Sequence, residues 1–518
     1  MPSCKSSATT ILTDRARCPP RFDPVLRELK KLSRQTLIYG AGVILGRAIG
    51  FFLIPLYTHY LAPKDYGVLE LIDLTGYILG YVLSMGIDQA VIRYFHFYND
   101  PEDKASVLST AIWANLIWSA LLVAILVPLT PALSVAIFGT REYAPLLLIT
   151  WANLLLGSVL GLQRAILRAQ QRSVTFTAVS LAQTGVAILL NIFFVAVLHV
   201  GVRGILYSGL ISSFLIASYL WAKTMFPIAP RIDRAKLGPM LRYGAPFVPG
   251  GMFAFVLNWS DRYFLRLYTS IDAVGIYGLG YKFGMIVVML VSVPFMFVWN
   301  AYLFEIETQP NARQTYARVA TYFMLGLCSA GLVISLFARE LIVVMADRAY
   351  WGAEQVIPVV VLAMILMCSD NVFQVGLLIK GRTGYLSVAK GIAAAVNLAL
   401  NVLLIPRYGV MGAAWATAIA FAVYAVNIFV AAQRAYPIDF EGARVVKLAV
   451  CTLATYAAAS LIHAPSLSTT IVEKLLVLLL FPGTLLAVGF LTSEEKKFIV
   501  SRARRYAGRL RGTSDDIR

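Results

Sequence analysis

Charge is scarce in this 518-residue sequence: Asp, Glu, Lys and Arg make up 14% of it, against about 25% in soluble domains. Hydrophobic residues reach 59% and mean hydropathy is +0.73, which excludes an ordinary soluble globular protein. Cysteine is nearly absent as a structural resource. Cys4, Cys18, Cys328, Cys368 and Cys451 form no CxxC, are odd in number, and three of them lie in apolar runs, so neither a disulfide framework nor a zinc site is indicated. The four histidines, His59, His96, His199 and His463, are scattered, which argues against a metal enzyme; no metal and no cofactor are expected. Acidic residues are few beside basic ones, 27 against 45, a balance of +18. In a soluble domain that balance would suggest nucleic acid. Here no nucleic-acid partner is expected, because Lys and Arg collect in cytoplasmic loops during membrane insertion. The first 35 residues lack the apolar core of a secretion signal and predict a basic cytosolic tail.

What the sequence has instead is long apolar runs. About fourteen reach spanning length, at 36–61, 67–87, 105–129, 144–166, 174–199, 204–226, 241–268, 273–300, 316–337, 356–379, 386–405, 411–432, 445–462 and 471–491. Shorter apolar pieces, Pro131 to Phe138 and Leu341 to Met345, read as interfacial helices or loop plugs. With both termini in the cytoplasm, roughly 33 of the basic residues fall inside and roughly 9 outside, a bias that supports an even number of spans. The expected fold class is an all-α polytopic membrane protein with both termini cytoplasmic, placed in the cell (inner or plasma) membrane. Its expected divisions are a tail at 1–35, a six-helix bundle at 36–226, a linker at 227–240, a second six-helix bundle at 241–432, two further helices at 433–491 and a basic tail at 492–518.

The two bundles are predicted from an internal repeat. Tyr39-Gly40-Ala41 opens the first span and Tyr243-Gly244-Ala245 the seventh. The turn before the second span leads into Gly67, and the corresponding turn before the eighth into Gly275. Gly201 and Gly204 lie between spans five and six, Gly409 and Gly412 between eleven and twelve. The later matches share an offset of about 208 residues, as expected of transporter folds built from repeats. The relation predicted is a pseudo-twofold axis along the membrane normal, with spans thirteen and fourteen outside it.

Charges inside spans are costly, at least about 2.5 kcal/mol on insertion scales, and mark function more often than chance would. Arg47 lies near the middle of the first span, about 16 Å from its cytoplasmic end, on a helix whose Gly42, Gly46 and Gly50 share one face. Glu70 and Asp73, one turn apart on the second span, and Lys282 on the eighth fall in the outer third. Asp261 and Arg262 lie near the outer end of the seventh span, as a structural pair or a gate, and Asp370 lies in the inner third of the tenth. Glu70 and Asp73 either neutralise Arg47 or couple transport to protons or sodium, and Asp370 is placed in the same ion-coupling or charge-balancing group. Arg93, Arg164 and Arg168 are read as topology anchors. Pro246 and Pro249, followed by Gly250 and Gly251, interrupt the start of span seven and predict a kink or hinge.

The stretch IPLYTHYLAPKDYGVLEL at 54–71 and GIDQAVIRYF at 86–95 resemble the polysaccharide transporters and Wzx-type flippases. So do LRAQQRS at 167–173, YGAPFVPGG at 243–251, DRYFLRLYTSIDAVGIYGLGYKF at 261–283 and IPRYGVMGAAWATAIAFAVY at 405–424. The family belongs to the multidrug/oligosaccharidyl-lipid/polysaccharide (MOP) superfamily, with the MurJ-type lipid II flippases and the MATE exporters. The resemblance implies two six-helix bundles around a central cavity, alternating access, and a substrate made of an oligosaccharide on a polyprenyl diphosphate. It further implies a cationic lumen, for which Arg47 is the first candidate. A substrate surface of Arg47, Lys282, Tyr57 and Tyr281 is expected, with Tyr77, Tyr81 and Tyr277 as further linings. Polysaccharide polymerase or assembly proteins are expected partners alongside membrane lipids.

Two other classes stand beside this one. A membrane polymerase or ligase would need catalytic groups in a substantial outer loop, and no connection is long, so no enzyme activity is expected. A MATE-like exporter of cationic small molecules would favour acidic residues in the cavity, whereas the central candidate is Arg47.

Overall fold

The structure, a computed structural model, describes residues 51, 53–225, 231–462, 467–493 and 495–497. Among these residues all regular structure is helical, and twelve helices are long and apolar enough to cross a membrane. One of them, Gly384–Ala435, runs 52 residues and bends at Gly409. Counted as spans eleven and twelve, it brings the described spans to thirteen. The first expected span lies largely outside the described residues, Arg47 included; its end is seen as the helix Ile54–Tyr60.

Local chemistry accounts for many of the helix ends. Pro63 and Pro101 occupy first-turn positions, where a missing N–H costs nothing. Asp100 and Ser270 cap the helices that follow them by accepting backbone N–H groups, each such cap contributing about 1 kcal/mol. The second span, Pro63–Phe97, is broken by Met85 and Gly86, both at positive φ. A methyl group on Gly86 would overlap the Gly244 carbonyl, so glycine at both positions lets spans two and seven touch backbone to backbone.

The third span differs from expectation. Pro131 to Phe138 is not a separate interfacial piece: Pro101–Phe138 is one 38-residue helix that passes through Pro128 and Pro131. Thr130 Oγ1 donates to Leu126 O at 2.9 Å and accepts from Trp151 Nε1 at 2.8 Å, supplying polar contacts beside the two prolines. Leu341 to Met345 does form part of a short helix, Ala338–Met345.

The repeat is visible in the backbone. Gly201 (φ 67°, ψ −141°) and Gly409 (φ 54°, ψ −129°) take the same conformation, one open essentially to glycine alone. Spans two and eight also meet in an isologous way. A methyl group on Gly67 would overlap the Ile271 carbonyl, and one on Gly275 would overlap that of Pro63. Pro63 and Ile271, Gly67 and Gly275 are each 208 residues apart, so equivalent positions touch reciprocally, which is what a twofold axis between the helices requires. On its other face span eight packs Gly280 against Ala353 O (3.1 Å from an added methyl) and Gly284 against Val360.

The connection between the bundles is fastened to the start of span three. Ser109 Oγ donates to Arg231 O at 2.6 Å, Asp233 N donates to Thr110 Oγ1 at 2.9 Å, and Lys236 pairs with Asp103 at 2.7 Å. Span thirteen packs on spans nine and fourteen, and Lys474 of span fourteen forms a buried 2.7 Å pair with Glu340.

The close approach of spans two and eight gives a stability test. Gly275→Ala should cost about 2 kcal/mol or more, as overpacking against backbone does, and lower the melting temperature of the detergent-solubilised protein. Gly185→Ala, where nothing lies within 4 Å of the added methyl, should leave it unchanged or slightly raised. Equal melting temperatures for the two variants would contradict the packing described.

Candidate functional site between the two bundles

The seam where spans two and eight meet carries the charges. Gly278, one turn beyond Gly275, leaves room for the Glu70 side chain: an added methyl would stand 2.9 Å from its Cγ and Cδ. Glu70 therefore lies over a glycine at its own repeat-equivalent position, 208 residues on. Its carboxylate meets the Lys282 ammonium at 2.7 Å. Lys282 also donates to the Tyr66 hydroxyl at 2.8 Å and stands 4.6 Å above the ring of the same tyrosine. Tyr66 and Glu70 are four residues apart on one helix face, as are Gly278 and Lys282. Tyr66 is anchored edge-on to Tyr350, whose hydroxyl donates to Leu61 O at 2.8 Å.

The two charges are not equally enclosed. The Glu70 side chain is 10% exposed and that of Lys282 is 43% exposed. Burial of an ammonium inside a membrane is tolerated when a carboxylate and a hydroxyl receive it, and here both do so while 43% of the side chain stays exposed. Lys282 lies eleven residues from the start of its helix at Ile271, about 16 Å along the axis. That is a little over a third of the way along the 30-residue helix Ile271–Asn300. Asp73 is exposed although Ile72 and Leu74 beside it are buried, so its carboxylate faces interior space. Tyr57 is within electrostatic reach of Lys282, Asp73 and Tyr66. Four of the expected residues, Tyr57, Glu70, Asp73 and Lys282, thus come together.

The others fall elsewhere. Asp261 and Arg262 are 1% and 2% exposed, inside the second bundle, and form the ion pair that is one of the two roles expected of them. Their ion pair measures 2.7 Å; Arg262 donates further to Asn258 O at 3.0 Å, and Asp261 accepts from Tyr277 and from Thr417. Tyr281, 3% exposed, does not face open space; the Arg262 guanidinium lies 4.1 Å over its ring. Span eight thus uses Tyr277 and Tyr281 on one face for Arg262 and Gly278 and Lys282 on another for Glu70. Asp370 stands apart on span ten, where it accepts from Tyr424 at 2.9 Å.

A cavity of about 500 Å³ opens between the bundles on the side of Gly86, lined among others by Tyr81, Asp88, Gln89, Pro246, Gly250 and Lys390. The break expected in span seven is present at Ala245 and Pro246, between the helices Arg234–Gly244 and Phe247–Trp259. It lets the Tyr81 ring settle over Gly251. Tyr77, hydrogen-bonded to Tyr81 at 3.1 Å, carries the aromatic lining on to Trp259 at 4.5 Å. Sequence reasoning missed Tyr66, Thr417 and Lys390. For Tyr66 a signal existed, its spacing of four from Glu70; for the other two none did, because their neighbours are distant in the chain.

A double-mutant cycle tests the central pair. Glu70→Gln and Lys282→Met should each destabilise the protein, and the coupling between them should be about 1–2 kcal/mol, between the values for exposed and buried pairs because Lys282 is half open. Strictly additive losses would show that the pair contributes nothing.

Comparison with known proteins places this geometry. A family model described as polysaccharide biosynthesis protein matches residues 32–307. No curated protein matches the chain. Among solved structures, the lipid II flippase MurJ in an inward closed conformation superposes with a TM-score of 0.72 at 14% identity, covering 86% of this chain and 98% of that one. An inward-facing multidrug resistance MATE family transporter of the MOP superfamily gives 0.58 at 16% identity over 80% of this chain and 96% of its own. A MOP superfamily transporter from Pyrococcus furiosus gives 0.52 at 16% identity, over 81% and 96%. The MurJ and MATE fold expected for the chain is the fold it has.

Proposed function

The chain belongs to the polysaccharide biosynthesis protein family, and on that premise we propose that it is a flippase carrying an oligosaccharide on a polyprenyl diphosphate from the cytoplasmic to the outer leaflet. The observation that supports this reading best is Lys282, whose ammonium is held by Glu70 and Tyr66 while its side chain stays 43% exposed. A sugar headgroup cannot cross hydrocarbon unaided, since each unpaired hydroxyl costs several kcal/mol. A diphosphate adds charge that only a cation can neutralise there. Lys282 supplies the cation, Lys390 a second one in the cavity on the Gly86 side, and Tyr57, Tyr77 and Tyr81 the amphipathic surface over which the headgroup moves.

In this reading the Gly86 side faces the cytoplasm of a cell membrane, both termini are cytoplasmic, and the reciprocal contact of Gly67 and Gly275 closes the outer side. Access would alternate by parting that contact. Glu70 holds Lys282 in place while substrate is absent, and the diphosphate displaces it. Asp370 is the group left for coupling to protons or sodium, and Asp73, one turn from Glu70, balances charge. Asp261 and Arg262 serve as a fixed wall behind span eight, with Tyr281 positioning the arginine. Arg47, outside the described residues, is retained as a further phosphate partner on its sequence position. Moving an anion outward gains about 2.3 kcal/mol per charge per 100 mV when the cytoplasm is negative. Export of a cationic small molecule fits less well, because Glu70 is already paired with Lys282.

The test measures lipid-linked oligosaccharide in each leaflet of cells carrying Lys282→Met, Lys282→Arg or Arg47→Ala at equal membrane levels. Lys282→Met should slow outward movement about ten- to a hundredfold, the worth of a charge-assisted hydrogen bond, and Lys282→Arg should retain part of it. Normal movement with methionine would overturn the assignment of Lys282.

A further inference from the structure

A second cavity lies inside the amino-terminal bundle. It measures about 450 Å³, within the range of about 300–1,000 Å³ typical of ligand pockets, and its walls come from spans two, four, five and six. Glycines open it: nothing lies within 4 Å of where a methyl group on Gly80 or Gly157 would stand. Among its polar groups, acceptors are left over. Asn191 is 6% exposed, yet its carboxamide oxygen has no hydrogen-bond partner among the described residues. Asn153 spends its amide N–H groups on Ile149 O and Leu206 O, at 3.1 and 3.0 Å, while its oxygen sits over Gly209. Asp73 presents a carboxylate to the same space.

A buried acceptor without a donor is costly and calls for an occupant that brings donors. Phosphate brings none and would be repelled by Asp73. A sugar ring brings several hydroxyls, and a carboxylate can accept from two of them at once. The volume suits a ring and not a bare ion, and no group of three or more His, Cys, Asp or Glu side chains occurs among the described residues. Asp73 lies one helical turn from Glu70, about 5 Å along the axis, so an occupant here adjoins whatever Lys282 holds.

We propose that this cavity seats the sugar joined directly to the diphosphate of the lipid carrier, with Asp73 and Asn191 accepting from its hydroxyls. The proposal rests on the flippase reading and divides recognition in two: Lys282 takes the diphosphate common to all such carriers, and the bundle cavity reads the glycan. The site is thus a specificity determinant, separable from the cationic one.

The experiment uses the full-length protein in nanodiscs and two probes, polyprenyl diphosphate and polyprenyl diphosphate bearing a single hexose, with affinities read by native mass spectrometry. The wild-type protein should prefer the hexose-bearing probe about tenfold, the worth of one or two net hydrogen bonds. Gly157→Leu or Gly80→Leu, whose first added carbon meets nothing within 4 Å, should fill the cavity and bring that preference to about one while binding of the bare carrier stays the same. Gly185→Leu, equally open but outside the cavity lining, should keep the preference. Asn191→Leu should lose most of it while the melting temperature holds or rises, because an unpartnered buried oxygen is removed. The inference fails if the filled variants keep the preference, if they weaken both probes equally, or if they abolish a sodium or pH dependence of the melting temperature and leave the preference untouched. Binding of neither probe by the wild-type protein would overturn the flippase reading itself; equal binding of both would overturn this inference alone.

Discussion

The contact on which this molecule depends is the meeting of spans two and eight along the axis that relates its halves. Gly67 and Gly275 bring backbone to backbone, and in a membrane, where lipid is as apolar as a leucine side chain, such close packing is a main source of helix association. One turn further in, the same approach leaves Glu70 lying over Gly278, and this asymmetric use of equivalent positions breaks the symmetry. One half gives a carboxylate, the other a gap to receive it and, four residues on, the Lys282 ammonium. A charge pair at that depth is tolerable because both members are already aligned by packing. The Lys282 side chain, held at its tip by Glu70 and Tyr66, still leaves 43% of its surface exposed.

The packing also explains why span eight can serve two clusters. Its residues at 277 and 281 face Arg262 in the second bundle, and those at 275, 278 and 282 face span two. A shift of span eight would disturb both.

Much of the fold was legible in the sequence, for physical reasons. Apolar runs of spanning length have no other stable use, and glycines recurring at corresponding turns marked positions where a backbone must take a conformation closed to other residues or come within touching distance. Gly201 and Gly409 are the clearest case. The fusion of Pro131 to Phe138 into span three was not legible, because Thr130 and Trp151 tolerate the prolines only once span four is in place. At the site the charged residues were found, and Asp261 with Arg262 as a pair, but the contact of Glu70 with Lys282 was not. The sequence offers Arg47, outside the described residues, as a neighbour for Glu70; the carboxylate meets Lys282, 212 residues away. Asn191, an unremarkable residue in an apolar run, carries a signal only when its missing partner can be seen.

The most direct measurement of the central claim is the chemical accessibility of the Lys282 amine. The full-length protein in nanodiscs is treated with a water-soluble acylating reagent, and modification at Lys282 is read by peptide mass spectrometry with and without saturating polyprenyl diphosphate oligosaccharide. The account predicts that Lys282 is modified in the free protein and protected by the lipid-linked substrate, while a surface lysine such as Lys496 is modified equally in both. A Lys282 that stays unmodified throughout, or one modified at the same rate with substrate bound, would contradict it.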